Sequence, residues 1–221
     1  MSTPRFLAAA ALAPVLAIGL AACGSTAKTA TDAAPSKAAS PAAPVAKIDA
    51  LSGKSTSVAL DAGFVAGLTS LKLTPATVGS ATLANGSISF PITGGNVTYY
   101  TPGSVTPYVQ GSIRHDGSGL SLTDGTTKVE LTDFVVDPGM SMLTGKVSAN
   151  GKVVVEGAPL FFLDGSTLKP LVSNSDGTAT LQGTTVSLTK AAADLLNQTY
   201  KTTALVPFFK VGVATIVVNT K

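Results

Sequence analysis

From residue 48 onward this chain is built of short runs in which apolar and polar positions alternate, separated by turn pairs. In Ser87-Ile88-Ser89-Phe90-Pro91-Ile92 the residues Ile88, Phe90 and Ile92 share one face, and Asn85-Gly86 sets a turn before them. Val105, Val109 and Ile113 fall on one face of the next run. Leu120 and Leu122 begin another, which Asp124-Gly125 turns. Val129 and Leu131 alternate with Lys128 and Glu130, but Phe134 and Val136 lie in the opposite phase. A bulge, or a strand buried on both faces, accounts for that shift. Asn150-Gly151, between 143–149 and 152–156, is the strongest hairpin signal. Short strands are expected at 178–181 and 185–188, joined near Gln182-Gly183, and 208–218 reads as a central strand.

Two stretches carry helical spacing instead. Asp61 to Ser70 places Ala62, Val65 and Leu68 on one side. Lys190 to Tyr200 has Thr189 as a cap and Ala192, Leu195, Leu196 and Tyr200 as an apolar stripe. The pattern predicts a mainly β domain, an antiparallel sandwich or partly open barrel, with the two short helices over an end or edge of the sheet.

The N-terminal region differs. One basic residue, Arg5, precedes an apolar run from Phe6 to Ala22, too short to span a membrane and suited to an export signal. The run closes on Leu20-Ala21-Ala22-Cys23, which resembles the lipobox of bacterial lipoproteins. That resemblance implies cleavage before Cys23 and a diacylglycerol on its sulfur, and hence a lipid-anchored protein on the extracytoplasmic side of the cell membrane. Cys23 is the only cysteine of the chain, and an odd thiol in an exported protein calls for such an explanation; an ordinary secretory signal with a stray thiol is the alternative. Two acyl chains suffice for stable anchoring. The expected organisation is therefore a signal peptide at 1–22, a lipidated Cys23 with a disordered Ala/Ser/Pro/Thr tether through 47, and one β-rich domain at 48–221. As a flexible coil the tether would reach roughly 25–30 Å.

Charge narrows the partners. The chain has 15 basic and 12 acidic residues, but the basic excess lies in Arg5, Lys28, Lys37 and Lys47. The domain itself is neutral, without a basic cluster or aromatic platform for nucleic acid. A monomer attached to the membrane through Cys23 is expected.

Further patterns resemble known proteins. Phe90-Pro91-Ile92-Thr93-Gly94-Gly95, the segment from Gly111 to Leu120, Glu130 to Asp137 and Leu188 to Asn197 together resemble a group of uncharacterised secreted actinobacterial β-rich proteins. The Gly-x-Ile-x-His strand around His115 is similar to the haem-binding HtaA-type domains. That likeness implies a tyrosine ligand, for which Tyr99, Tyr100 and Tyr108 are the available residues; no cofactor is assigned from it.

Candidate chemistry is sparse. His115, the only histidine, stands beside Asp116 and is either a ligand or acid–base group, or a structural residue bonded to backbone. Without a second histidine or a cysteine in the domain a zinc set is missing, and no metal is expected. Asp116, Asp124, Asp133 and Asp137 have oxygen for calcium, but their spacing suits turns better. No Gly-x-Ser-x-Gly elbow holds a nucleophile, so no catalytic residue is assigned and the chain is read as a non-enzyme. Tyr99, Tyr100 and Tyr108 form a patch able to stack a flat ligand. Phe161-Phe162 and Phe208-Phe209 place one ring on each face of a strand, so Phe161 and Phe208 are candidates to line an apolar cavity. The leading expectation is binding of an apolar or flat ligand such as a lipid or haem; the alternatives are an adhesive or structural envelope module, and a hydrolase built on His115.

Overall fold

The computed structural model describes residues 42–220; Cys23, the signal segment and most of the tether lie outside them. The strands are β1 (Ala46–Ile48), β2 (Lys54–Leu60), β3 (Thr74–Gly79), β4 (Thr82–Ala84), β5 (Ser87–Pro91), β6 (Gly94–Tyr99), β7 (Val109–Thr123), β8 (Lys128–Asp137), β9 (Met142–Ala149), β10 (Lys152–Asp164), β11 (Val172–Ser173), β12 (Thr178–Leu188) and β13 (Lys210–Asn219). The helices are α1 (Ala62–Ser70) and α2 (Lys190–Tyr200). All pairings between these strands are antiparallel, in the order β1-β6-β7-β8-β9-β10-β12-β13-β2-β5-β4, with β3 on β7 and β11 on β12. Of the two forms expected, the domain takes the open one: a single curled sheet, a half-barrel, rather than two stacked sheets.

The curl is fixed where the chain crosses from one end of the sheet order to the other. β5 lies near one end and β6 near the other, yet only Ile92 and Thr93 separate them. The crossing is stitched on both sides: the Ile92 N–H donates to the Lys54 carbonyl of β2 and the Thr93 N–H to the Arg114 carbonyl of β7.

Bulges divide the interior into two zones. Along β7 the buried apolar residues are Val109 and Ile113, then Leu120 and Leu122; along β8 they are Val129 and Leu131, then Phe134 and Val136. The phase changes where the β7–β8 register shifts between His115 and Gly119 and the β8–β9 register between Thr132 and Val135. Asp133 has a φ of 53° there and accepts from the Gly117 N–H at 2.9 Å, which ties the two irregularities together. On one side of this line Leu120, Leu122 and Leu131 meet Phe64 and Leu68 of α1, Leu196 of α2, Leu188 and Leu205 in a close-packed core. Lys146 pairs with Asp133 over the bulge, and that ammonium, with the Gly117 N–H, holds the Asp133 carboxyl below its usual range.

Local expectations and structure differ at several points. β1 opens at Ala46, two residues before the expected start of the domain, and the Val45 N–H already bonds the Tyr99 carbonyl. The two short strands at 178–188 are one, β12, in which a bulge at Gly183 (φ 108°) flips the phase. A side chain at Gly183 would meet the Thr167 carbonyl oxygen at 2.4 Å, so only glycine fits. In α1 the buried residues are Phe64 and Leu68, while Val65 is exposed. α2 and its Thr189 cap are as expected.

Candidate functional site

On the other side of the bulge line the half-barrel is hollow. A cavity of about 780 Å³ runs between the walls of the curl. Small barrels ordinarily fill their interior with side chains; here Val58, Val97, Leu143, Ile216 and Val218 face the space and remain half-exposed. The volume falls within the roughly 300–1,000 Å³ of small-molecule sites.

Its floor is aromatic. Phe90 of β5 and Phe134 of β8 meet edge-on at 5.2 Å, Phe134 and Phe161 of β10 at 6.3 Å, and Phe90 and His115 at 6.3 Å between ring centroids. These rings separate the packed core from the cavity. Towards the other end the lining passes into loops, with Thr106, Pro107, Pro138, Gly165, Ser166 and Leu168, and into β1. Tyr99 and Tyr108 pack edge-on there, at 6.0 Å. Burial, and then the neighbouring Tyr99, push the Tyr108 phenol above its ordinary pKa, so it is protonated at neutral pH.

His115 lines the cavity but is 1% exposed and fully engaged. Nδ1 lies 2.9 Å from the Pro91 carbonyl, which only accepts, so Nδ1 carries the proton. Nε2 then accepts from the Thr56 hydroxyl at 3.2 Å. Burial pushes the imidazole below its ordinary pKa, against the opposing pull of the Pro91 and Phe90 carbonyls. The histidine thus joins β7 to β5 and β2 across the curl, clasping the two limbs of the sheet beside the crossing.

Of the residues singled out by sequence, Tyr99, Tyr108, His115 and Phe161 come together on the cavity wall. Tyr100 and Phe208 do not. Tyr100 follows the last residue of β6, so alternation turns it away from Tyr99. Phe208 precedes β13 in a turn, with φ of 61° and 66% exposure, and its ring packs on Phe162 outside the cavity. Sequence reasoning missed Phe134 and Val58 as cavity residues; the phase shift in β8 was the available signal for Phe134. The aspartates serve turns and ion pairs. Asp124 accepts from the Thr126 and Thr127 N–H groups, Asp137 from that of Met140, and the Asp116 carboxylate from the Thr93 hydroxyl.

No protein-family model matches this chain, and no curated protein matches it. Among solved structures it is similar to the crystal structure of the C-terminal domain of HtaA from Corynebacterium glutamicum, with a TM-score of 0.51 and 14% identity over 80% of this chain and 98% of that one. At that identity the likeness is one of fold, and the HtaA resemblance drawn from sequence holds at that level. Fold and cavity define the class: an antiparallel half-barrel with an apolar hollow.

Proposed function

We propose that this is a lipid-anchored extracytoplasmic protein whose half-barrel binds an apolar small molecule. The observation that carries the reading is the cavity of about 780 Å³, walled by apolar strand residues and floored by Phe90, Phe134 and Phe161. Beside that floor, the polar side chains of His115 and Thr56 satisfy each other. The site therefore suits an uncharged hydrocarbon-rich molecule, with any polar end among the loop residues. Lipid chemistry fits these walls directly.

A haem-like ligand is a second reading, supported by the HtaA fold and the Tyr99–Tyr108 pair. The donor set fits it less well. Neither His115 nitrogen is free. Native mass spectrometry of the protein taken from its own cell envelope tests both. Extra mass that departs on denaturation is expected, in the range of a lipid. A haem mass, with a Soret band lost in Tyr99→Phe or Tyr108→Phe, would select the second reading. A bare polypeptide with an empty cavity would favour the adhesive or structural role. The anchor has its own test: Cys23→Ala is expected to move the protein from the membrane fraction to the soluble one.

A further inference from the structure

The opening of β10 is the most unusual surface of the domain. Val153, Val154 and Val155 are 56%, 51% and 38% exposed, and Lys152 and Glu156 flank them. Val153 and Val155 pair with the consecutive β9 residues Ser148 and Val147, which point to opposite faces, so the exposed valines leave both faces bare. β10 pairs with β9 along one side. On its other side β12 pairs only from Phe161 to Asp164, and Thr189 at the start of α2 takes the Pro159 and Leu160 carbonyls. Before Pro159 that side carries no strand among the described residues. The register with β9 breaks between Val153 and Val155, so Val154 is a bulged residue within the open stretch, and it breaks again before Ala158. A β-branched, apolar free edge is a pairing template that proteins usually blunt or cover.

The charges say what covers it. Lys152-Val153-Val154-Val155-Glu156 is complementary to itself when run antiparallel. With a two-fold axis at the bulged Val154, the Lys152 end of each strand meets the partner's Glu156 end, with the valines between them. Two opposite-charge pairs result, each a favourable cross-strand contact, and the valines are brought together between them. Parallel pairing would set lysine beside lysine. Neither Lys152 nor Glu156 joins an ion pair among the described residues; Lys146, the cation near Glu156, is bonded to Asp133. We propose that two copies of this chain pair through the Lys152–Glu156 edge of β10, forming a two-fold dimer in which the sheets join. The occupant is a second copy because a self-complementary patch is what an isologous interface requires. A five-residue edge buries little area, so the dimer is reversible.

Sedimentation equilibrium of the full chain in density-matched detergent tests this. A monomer–dimer equilibrium is expected. Lys152→Glu and Glu156→Lys should each weaken it about tenfold, since each replaces two attractive cross-strand pairs by two repulsive ones. The double variant should restore it, as should an equimolar mixture of the two single variants. Both side chains are exposed, and an unchanged melting temperature verifies that each variant folds. A monomer at every concentration overturns the proposal, and so does a dimer indifferent to both single substitutions.

Discussion

At the scale of single residues, His115 shows how burial decides a role. A lone histidine beside an aspartate invites a catalytic reading, yet both its nitrogens are occupied by Thr56 and Pro91. Replacing it with leucine strands a buried carbonyl and a hydroxyl, and is expected to cost about 2–4 kcal/mol in urea unfolding at neutral pH. Its titration gives a second signature. The unfolded histidine protonates near its ordinary value of about 6.5, whereas the folded one, depressed by burial, protonates only at lower pH. Below about 6.5 the unfolded chain therefore binds more protons, and stability falls as pH falls through that window; above it the contribution is complete. Stability measured from pH 7.5 to 5 should fall in the wild type, and fall less in His115→Leu. Equal slopes would remove His115 from the account. Tyr200 is a parallel case: its hydroxyl donates to the Leu122 carbonyl at 2.6 Å, and burial pushes its pKa up to about 12.

At the scale of elements, α2 depends on one hydroxyl. Thr189 accepts from the Ala192 N–H at 3.0 Å and donates to the Pro159 carbonyl at 2.6 Å, so it both caps the helix and ties it to β10. Thr189→Ala is expected to lose about 1–2 kcal/mol by denaturant unfolding; a neutral result would mean that packing of Leu196 alone seats the helix. This element was legible in sequence because a cap and a helical stripe are local signals. So were the Asn85-Gly86 and Asn150-Gly151 turns, whose residues all have positive φ, and the phase shift in β8. The single strand β12 was not legible, because Gly183 marks a bulge and a turn alike. Phe161 and Phe208 show the same boundary: both sit in Phe-Phe pairs, and only the start of β13 at Lys210 decides that Phe208 lies outside a strand. The cavity was beyond reach of periodicity, which tells which residues face inward but not whether the space they face is filled.

At the scale of the whole molecule, the packed core and the cavity occupy different zones. The helices cover the solid core, and the hollow zone contributes walls without contents. Ile216→Phe or Val58→Phe places a ring in empty space, so little stability should be lost while uptake of an apolar fluorescent probe weakens about tenfold or more. Equal uptake would mean that the probe binds elsewhere. Topology adds a constraint of another kind. β2, near the start of the domain, takes its neighbour from the very end: Lys54 to Leu60 pair with Val218 to Gly212. β13 also pairs with β12, so it is what joins β12 to β2 in the sheet. A chain that emerges N-terminus first can pair β2 with β5 early, but must hold the other edge of β2 open until β13 has appeared. The wall that β13 contributes to the cavity is missing before then, so the hollow takes its final form only after β13 has joined β12 to β2.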